Sequence, residues 1–147
     1  MDKKIITKNS NETKILGSEF SKKLKAGDII LLFGQLGSGK TTFVQGVAEG
    51  LGVANRIVSP SFVLIRTHSV NQGDIKNLNH IDLYRVEKPQ ELTNLGLNEL
   101  INEEGSVTFI EWADRLVDLK QDKIYKIYVK YLNGNEREIT IGYYEFG

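Results

Sequence analysis

Gly34-Gln35-Leu36-Gly37-Ser38-Gly39-Lys40-Thr41 spells GxxxxGK[ST], the pattern of a loop that wraps phosphates. A polyphosphate needs many N–H donors at close range. Side chains must therefore be absent where the backbone curls around it. Gly34, Gly37 and Gly39 allow that approach and tolerate positive φ. Lys40 offers a cation to the β- and γ-phosphates, and the Thr41 hydroxyl suits Mg²⁺, which takes oxygen ligands and keeps several waters. A second acidic signal lies far downstream. The apolar run Val107-Thr108-Phe109-Ile110 closes on Glu111, the form of a Walker B strand that places an acid near the metal. Asp82 also ends a predicted strand, where acids in α/β sheets often face a nucleotide; the alternative is loop capping. His80 has no second histidine at ligand spacing and reads as a packing or hydrogen-bonding residue rather than a metal ligand.

These groups need elements to hold them. Ile29–Phe33 is five apolar residues between Gly27-Asp28 and Gly34, which fits a strand buried on both faces. Phe43, Val44, Val47, Ala48 and Leu51 recur at helical spacing, with Gly50 and Gly52 as a stop. The loop is thus predicted between strand and helix, the context its chemistry requires. Upstream, Lys4–Thr7 is a candidate edge strand. Asn9 to Asn11 can cap a helix whose apolar face is Ile15, Leu16, Phe20 and Leu24, ending near Ala26-Gly27. From the residues alone, Ser10 and Thr13 read as cap and first-turn groups.

Downstream, Ser59-Pro60 biases the chain to an extended turn before a strand at Phe62–Ile65. Ser59, Pro60, Ser61 and Phe62 form a candidate switch loop whose hydroxyls suit a γ-phosphate; the alternative is a plain turn. Ser69–Asn79 reads as a hairpin loop or flexible excursion. In Leu78–Leu83, alternation puts Ile81 and Leu83 on the core side and His80, Asp82 and Tyr84 on the other. Pro89 opens a short helix through Leu92, and a second helix runs from Leu95 to Glu104. Ile124–Tyr144 alternates on both sides of Asn133-Gly134-Asn135, an antiparallel hairpin expected at the edge of the sheet or covering it, with its lysines as edge protection.

Length and composition narrow the function. The 147 residues suit one domain, and 40% hydrophobic with 26% charged residues is a globular composition. A formal net charge of zero argues against a free-standing nucleic-acid binder. With no cysteine, disulfide, zinc-thiolate and thiol chemistry are excluded. The start of the chain has no apolar core of signal-peptide length, and no run is long enough to span a bilayer, so a cytoplasmic location without membrane contact is expected.

The loop, Ser59-Pro60-Ser61-Phe62, His80-Ile81-Asp82-Leu83-Tyr84-Arg85 and Ile110-Glu111-Trp112-Ala113-Asp114-Arg115-Leu116, in this order, resemble the TsaE family (also called YjeE or YdiB). The resemblance spans nearly the whole chain. Ser61 stands where the family usually has Thr, which keeps the hydroxyl. The resemblance implies an α/β fold: a single P-loop domain with a central mixed, mainly parallel sheet, helices on both sides and a C-terminal antiparallel hairpin. It implies that Leu36, Gly37, Ser38, Gly39, Lys40 and Thr41 wrap the ATP phosphates, with Thr42 beside them. It assigns Thr41 and Glu111 to Mg²⁺ and brings the Ser10–Thr13 segment to the adenine. It makes Ser59–Phe62 the switch-like loop, and Asp82 and Trp112 motif residues. It further implies TsaD and TsaB as partners in making threonylcarbamoyladenosine on tRNA, with TsaD carrying the transfer and ATP hydrolysis letting the complex turn over. Direct contact with tRNA is left open.

The expected reaction is attack of water on the γ-phosphate, with Lys40, loop amides and Mg²⁺ stabilising phosphoryl charge. Glu111 is assigned to the metal and Asp82 to the attacking water or the metal's water shell. Arg85 and Arg115 suit structural ion pairs better than an arginine finger, so hydrolysis is expected to be slow alone and faster with partners. Three alternatives stand beside this reading: a small P-loop kinase, a GTP switch (disfavoured by the lack of an NKxD-type motif), and a regulatory subunit without essential hydrolysis.

Overall fold

The computed structural model describes residues 2–35, 38–53, 65–83, 96–112 and 123–145. Its elements in chain order are β1 (Asp2–Thr7), α1 (Ser10–Ser21), β2 (Ile29–Phe33), α2 (Lys40–Gly50), β3 (Ile65–Gln72), β4 (Ile75–Asp82), α3 (Leu97–Ile101), β5 (Ser106–Glu111), β6 (Lys123–Tyr131) and β7 (Arg137–Glu145). The strands form one seven-stranded mixed sheet in the order β1-β7-β6-β2-β5-β4-β3. Parallel pairing holds the centre, where β6, β2, β5 and β4 run together. Both flanks are antiparallel, through β6–β7–β1 on one side and β4–β3 on the other.

Strand alternation sorts the two faces. Ile30, Leu32, Val107, Phe109, Ile127 and Val129 pack with Phe20 of α1 and Phe43, Val44 and Val47 of α2. Ile29, Leu31, Ile81 and Ile110 pack on the other face against Leu97 and Ile101 of α3. Full burial of each such side chain stabilises by about 1.5–3 kcal/mol. Helices therefore lie on both faces, as expected for the fold class.

Several sequence expectations need correction. The C-terminal hairpin is no edge: β6 pairs with β2 inside the sheet, and β7 is covered by β1. Lys126 and Lys130 sit on strand faces rather than guarding an edge, and the Lys126 ammonium lies 5.0 Å from the Tyr144 ring centroid. Ser69–Asn79 is mostly strand, because β3 and β4 are joined by a tight turn at Gly73-Asp74. Helix α3 stops at Ile101, where Asn102 closes it by donating both its backbone N–H and its side-chain amide to the Asn98 carbonyl. The short helix expected from Pro89 to Leu92 lies outside the described residues.

Helix α1 starts where the polar cluster predicts. The Asn9 side chain accepts from the Glu12 N–H at 2.8 Å, so Asn9 rather than Ser10 is the cap. Its buried face keeps Leu16 and Phe20 of the expected stripe, with Leu24 just past its end, but turns away from Ile15. Ile15 is 50% exposed, while Thr13, Gly17, Phe20 and Ser21 are buried. Glycines explain the rotation. A Cβ on Gly17 would lie 2.3 Å from the Phe43 carbonyl oxygen, and one on Gly46 would lie 2.1 Å from that of Lys14. Gly50, the last residue of α2, admits the Ser21 hydroxyl in the same way, and Gly52 at φ 79° follows it, so the helix stops where the two glycines predict. The two helices approach backbone to backbone, and α1 carries its N-terminal residues beside the start of α2.

Candidate active site

Strand β2 runs directly into the Gly-rich loop. Gly34 takes φ 152°, and a Cβ there would lie 2.6 Å from the Val129 carbonyl oxygen and 2.7 Å from Ser38 Oγ. Gly39 takes φ 110° and precedes α2 without any side-chain cap. The first turn of α2 thus keeps its N–H groups and the positive end of its dipole for an anion. Ser38 Oγ is buried with no hydrogen-bond partner. Leu36 and Gly37, also expected in this loop, lie outside the described residues.

Lys40 is 4% exposed and is held inside the site. Its Nζ donates to the Gly34 carbonyl at 2.7 Å, lies 4.0 Å from Glu111 Oε1 and sits 4.3 Å from the Trp112 ring centroid. The indole reaches that position from a strained backbone. Trp112 has φ 58°, rare for a bulky side chain, directly after the last residue of β5. Thr41 and Thr42 follow in the first turn of α2, half-buried.

The register explains how the acids arrive. Leu32, Glu111 and Asp82 are lateral neighbours on β2, β5 and β4. Because these strands are parallel, their C-terminal ends lie together, one residue short of where β2 gives way to the loop. His80, Asp82 and Glu111 share the face that carries α2. His80 is a hydrogen-bonding residue, its Nε2 donating to Glu111 Oε2 at 2.5 Å. Across the hairpin, His68 is held below its ordinary imidazole value by burial first, then by neighbouring His80 and Arg66. Tyr84, Arg85, Arg115 and the switch loop Ser59–Phe62 lie outside the described residues.

One contributor carries no motif and escapes the sequence reading. Arg137, 99 residues beyond Ser38, donates Nε to the Ser38 carbonyl at 2.7 Å and stacks its guanidinium 4.7 Å from the Tyr131 ring centroid. It braces the loop from β7. With Asn9, Ser10, Thr13, Gly39, Thr42 and Asn135 it borders a cavity of about 140 Å³ beside the start of α2. Thr13 is fixed there by Thr7, their hydroxyls 2.7 Å apart. A signal exists: Arg137 alternates in phase with Ile139 and Ile141, the core side of β7, where a charged residue needs a partner.

The donor set fits Mg²⁺ held with a phosphate better than a self-contained metal cage. Among the described residues no three His, Asp or Glu side chains gather to hold an ion. Mg²⁺ characteristically takes one or two protein oxygens and fills its octahedron with phosphate oxygens and water. Glu111 and Thr41 provide such oxygens, and the orphaned Ser38 hydroxyl and uncapped helix start provide donors for an anion next to them.

The family profile described as "Threonylcarbamoyl adenosine biosynthesis protein TsaE" matches residues 7–139. The chain belongs to the TsaE family. The "tRNA threonylcarbamoyladenosine biosynthesis protein TsaE" of Bacillus subtilis (strain 168) is 39% identical over 134 residues, covering 91% of this chain and 81% of that protein. The protein of the same name from Nostoc sp. is 43% identical over 116 residues, covering 77% of this chain and 69% of that one. The crystal structure of Bacillus subtilis YdiB superimposes with a TM-score of 0.77 at 32% identity, covering 96% of this chain and 84% of the other. The fold of this TsaE-family chain is therefore shared with a solved relative along almost its full length.

Proposed function

We propose that this chain is a single-domain, Mg²⁺-dependent ATPase that helps form threonylcarbamoyladenosine on tRNA, working in the cytoplasm with TsaD and TsaB. The role in that modification follows from family membership and from the names its relatives carry. No helix among the described residues is long and apolar enough to cross a membrane. The observation that carries the ATPase reading is Glu111 Oε1 at 4.0 Å from Lys40 Nζ, an acid from one buried strand end meeting the loop lysine of the next.

Loop amides from Leu36 to Thr41 and the dipole of α2 bind the phosphates. The Lys40 ammonium exchanges its Gly34 carbonyl for phosphate oxygens, remaining in the same narrow space between Glu111 and Trp112. Mg²⁺, when bound, neutralises charge on the phosphates, and Thr41 and Glu111 are the residues that would hold it. Asp82, lateral to Glu111, orients the attacking water or the water shell of the metal. Ser10, Thr13, Thr42 and Arg137 border the cavity assigned to the nucleoside end. Ser59–Phe62 serves as the switch loop that senses the γ-phosphate.

Phosphate release from ATP, measured with and without the TsaB–TsaD pair, tests this. Turnover should be slow alone, faster with the partners, and lost in Glu111→Ala and Lys40→Ala. Phosphoryl transfer to an acceptor without phosphate release would make the chain a kinase. Full support of tRNA modification by Lys40→Ala would make hydrolysis dispensable.

A further inference from the structure

His80 is fully buried in β4, where its lateral neighbour on β5 is Phe109 and the preceding residue on the same face is Leu78. An apolar side chain would suit that position. Instead an imidazole is placed there with Nδ1 buried and without a partner, an arrangement that packing alone does not favour. Its other nitrogen reaches diagonally, two residues along the neighbouring strand, to Glu111 Oε2. A carboxylate only accepts hydrogen bonds, so Nε2 carries the hydrogen. The remaining oxygen, Oε1, is the one that faces Lys40.

We propose that His80 is the positioning residue for the Glu111 carboxylate, tying down Oε2 so that Oε1 alone is presented to Mg²⁺. The inference rests on the Mg²⁺–nucleotide reading above. A free glutamate side chain can rotate about three bonds and can offer a metal one oxygen or two. Fixing one oxygen removes that freedom and leaves a monodentate ligand. Mg²⁺ demands a near-ideal octahedron of single oxygens, whereas Ca²⁺ accepts bidentate carboxylates. His80 thereby raises metal affinity and favours Mg²⁺ over Ca²⁺, as partners behind a metal ligand do elsewhere.

The test is Mn²⁺ binding to the ADP complex, followed by electron paramagnetic resonance, with Mg²⁺ and Ca²⁺ as competitors. His80→Leu and His80→Asn remove the donor at Glu111, while His80→Gln keeps an amide N–H near the Nε2 position. The Leu and Asn variants should bind Mn²⁺ about 10–100-fold more weakly, with ADP affinity in EDTA changed less than about threefold. Their preference for Mg²⁺ over Ca²⁺ should narrow, and His80→Gln should recover most of both losses. A purely structural role would lower all three variants alike and leave the Mg²⁺/Ca²⁺ ratio unmoved, which would overturn the proposal. Unchanged Mn²⁺ affinity in folded His80→Asn would also overturn it. Should His80→Leu fail to fold, the contrast between the Gln and Asn variants decides the question without it. Glu111→Gln separates the layers. If it binds Mn²⁺ as tightly as the unaltered chain, the metal reading fails and the role of His80 falls with it; if it loses Mn²⁺ and folded His80→Asn does not, only the role of His80 fails.

Discussion

Strands β4 and β5 serve two purposes along one face. In their first halves Leu78 and Val107 are buried against the helix-covered core. At their ends the same face carries His80, Asp82 and Glu111, also buried, with Glu111 beside Lys40. The difference lies in what fixes each region. The apolar half is set by volume and close approach, and many residues of suitable size would satisfy it. The polar half is set by direction: Glu111 is held by His80 and Lys40 by the Gly34 carbonyl, and a substitution of equal size loses the chemistry. Changes at the strand ends should therefore cost activity more than stability, and changes at the helix contact the reverse.

The largest effect is expected at Lys40. Lys40→Ala should lower turnover by about 10²–10³-fold, the loss typical of one electrostatic donor in a desolvated site. Its urea midpoint should stay near that of the unaltered protein, because Glu111 keeps its hydrogen bond from His80. A matching collapse in stability would break the comparison. Gly46→Ala probes the opposite region. Alanine gains about 1 kcal/mol in helix propensity. A Cβ 2.1 Å from the Lys14 carbonyl oxygen cannot be accommodated without moving α1. A net loss of about 1–3 kcal/mol in urea unfolding is expected. A stabilised Gly46→Ala would show that the helices are not in backbone contact.

Arg137 sharpens the comparison because it lies on the core side of β7 yet serves the loop. Arg137→Gln removes a charged donor to the Ser38 carbonyl, worth about 1.5 kcal/mol where half-buried. Nucleotide affinity should fall about tenfold, and titration calorimetry would read it. The smallest effect belongs to His68. Its proton affinity is lowered on folding, so as pH falls through its ordinary 6.5 the unfolded chain takes up the proton first. The folded state loses stability from there down to the depressed folded value, and no more below it. Urea midpoints at pH 7.5 and 5.5 should show a larger drop for the unaltered chain than for His68→Gln; an equal drop would remove His68 from the account.

The strand–loop–helix and the two strand-end acids are legible in the sequence because their chemistry restricts residue types: only glycine, lysine, threonine and carboxylates serve there. Period-two alternation alone likewise puts His80 and Asp82 on one face of their strand. Three features escape such patterns. The apolar stripe of α1 starts at Ile15, whereas close packing selects the smallest residues, Gly17 and Gly46, which apolar periodicity does not weigh. The C-terminal hairpin reads as an edge, because nothing in its own alternation shows that β2 pairs with it in parallel. Arg137 belongs to no motif, and its reach to Ser38 follows only from the strand order that brings β7 close to β2.

The central claim is that the loop and Glu111 share one metal–nucleotide complex. A crystal structure with ADP and Mn²⁺, located by anomalous scattering, tests it most directly. The account predicts a single Mn²⁺ between Thr41 and Glu111 Oε1, directly or through one water, with Lys40 Nζ moved from the Gly34 carbonyl to a phosphate oxygen. Nucleotide bound away from Gly34–Thr41, or Mn²⁺ with no contact to Glu111 of either kind, would contradict it.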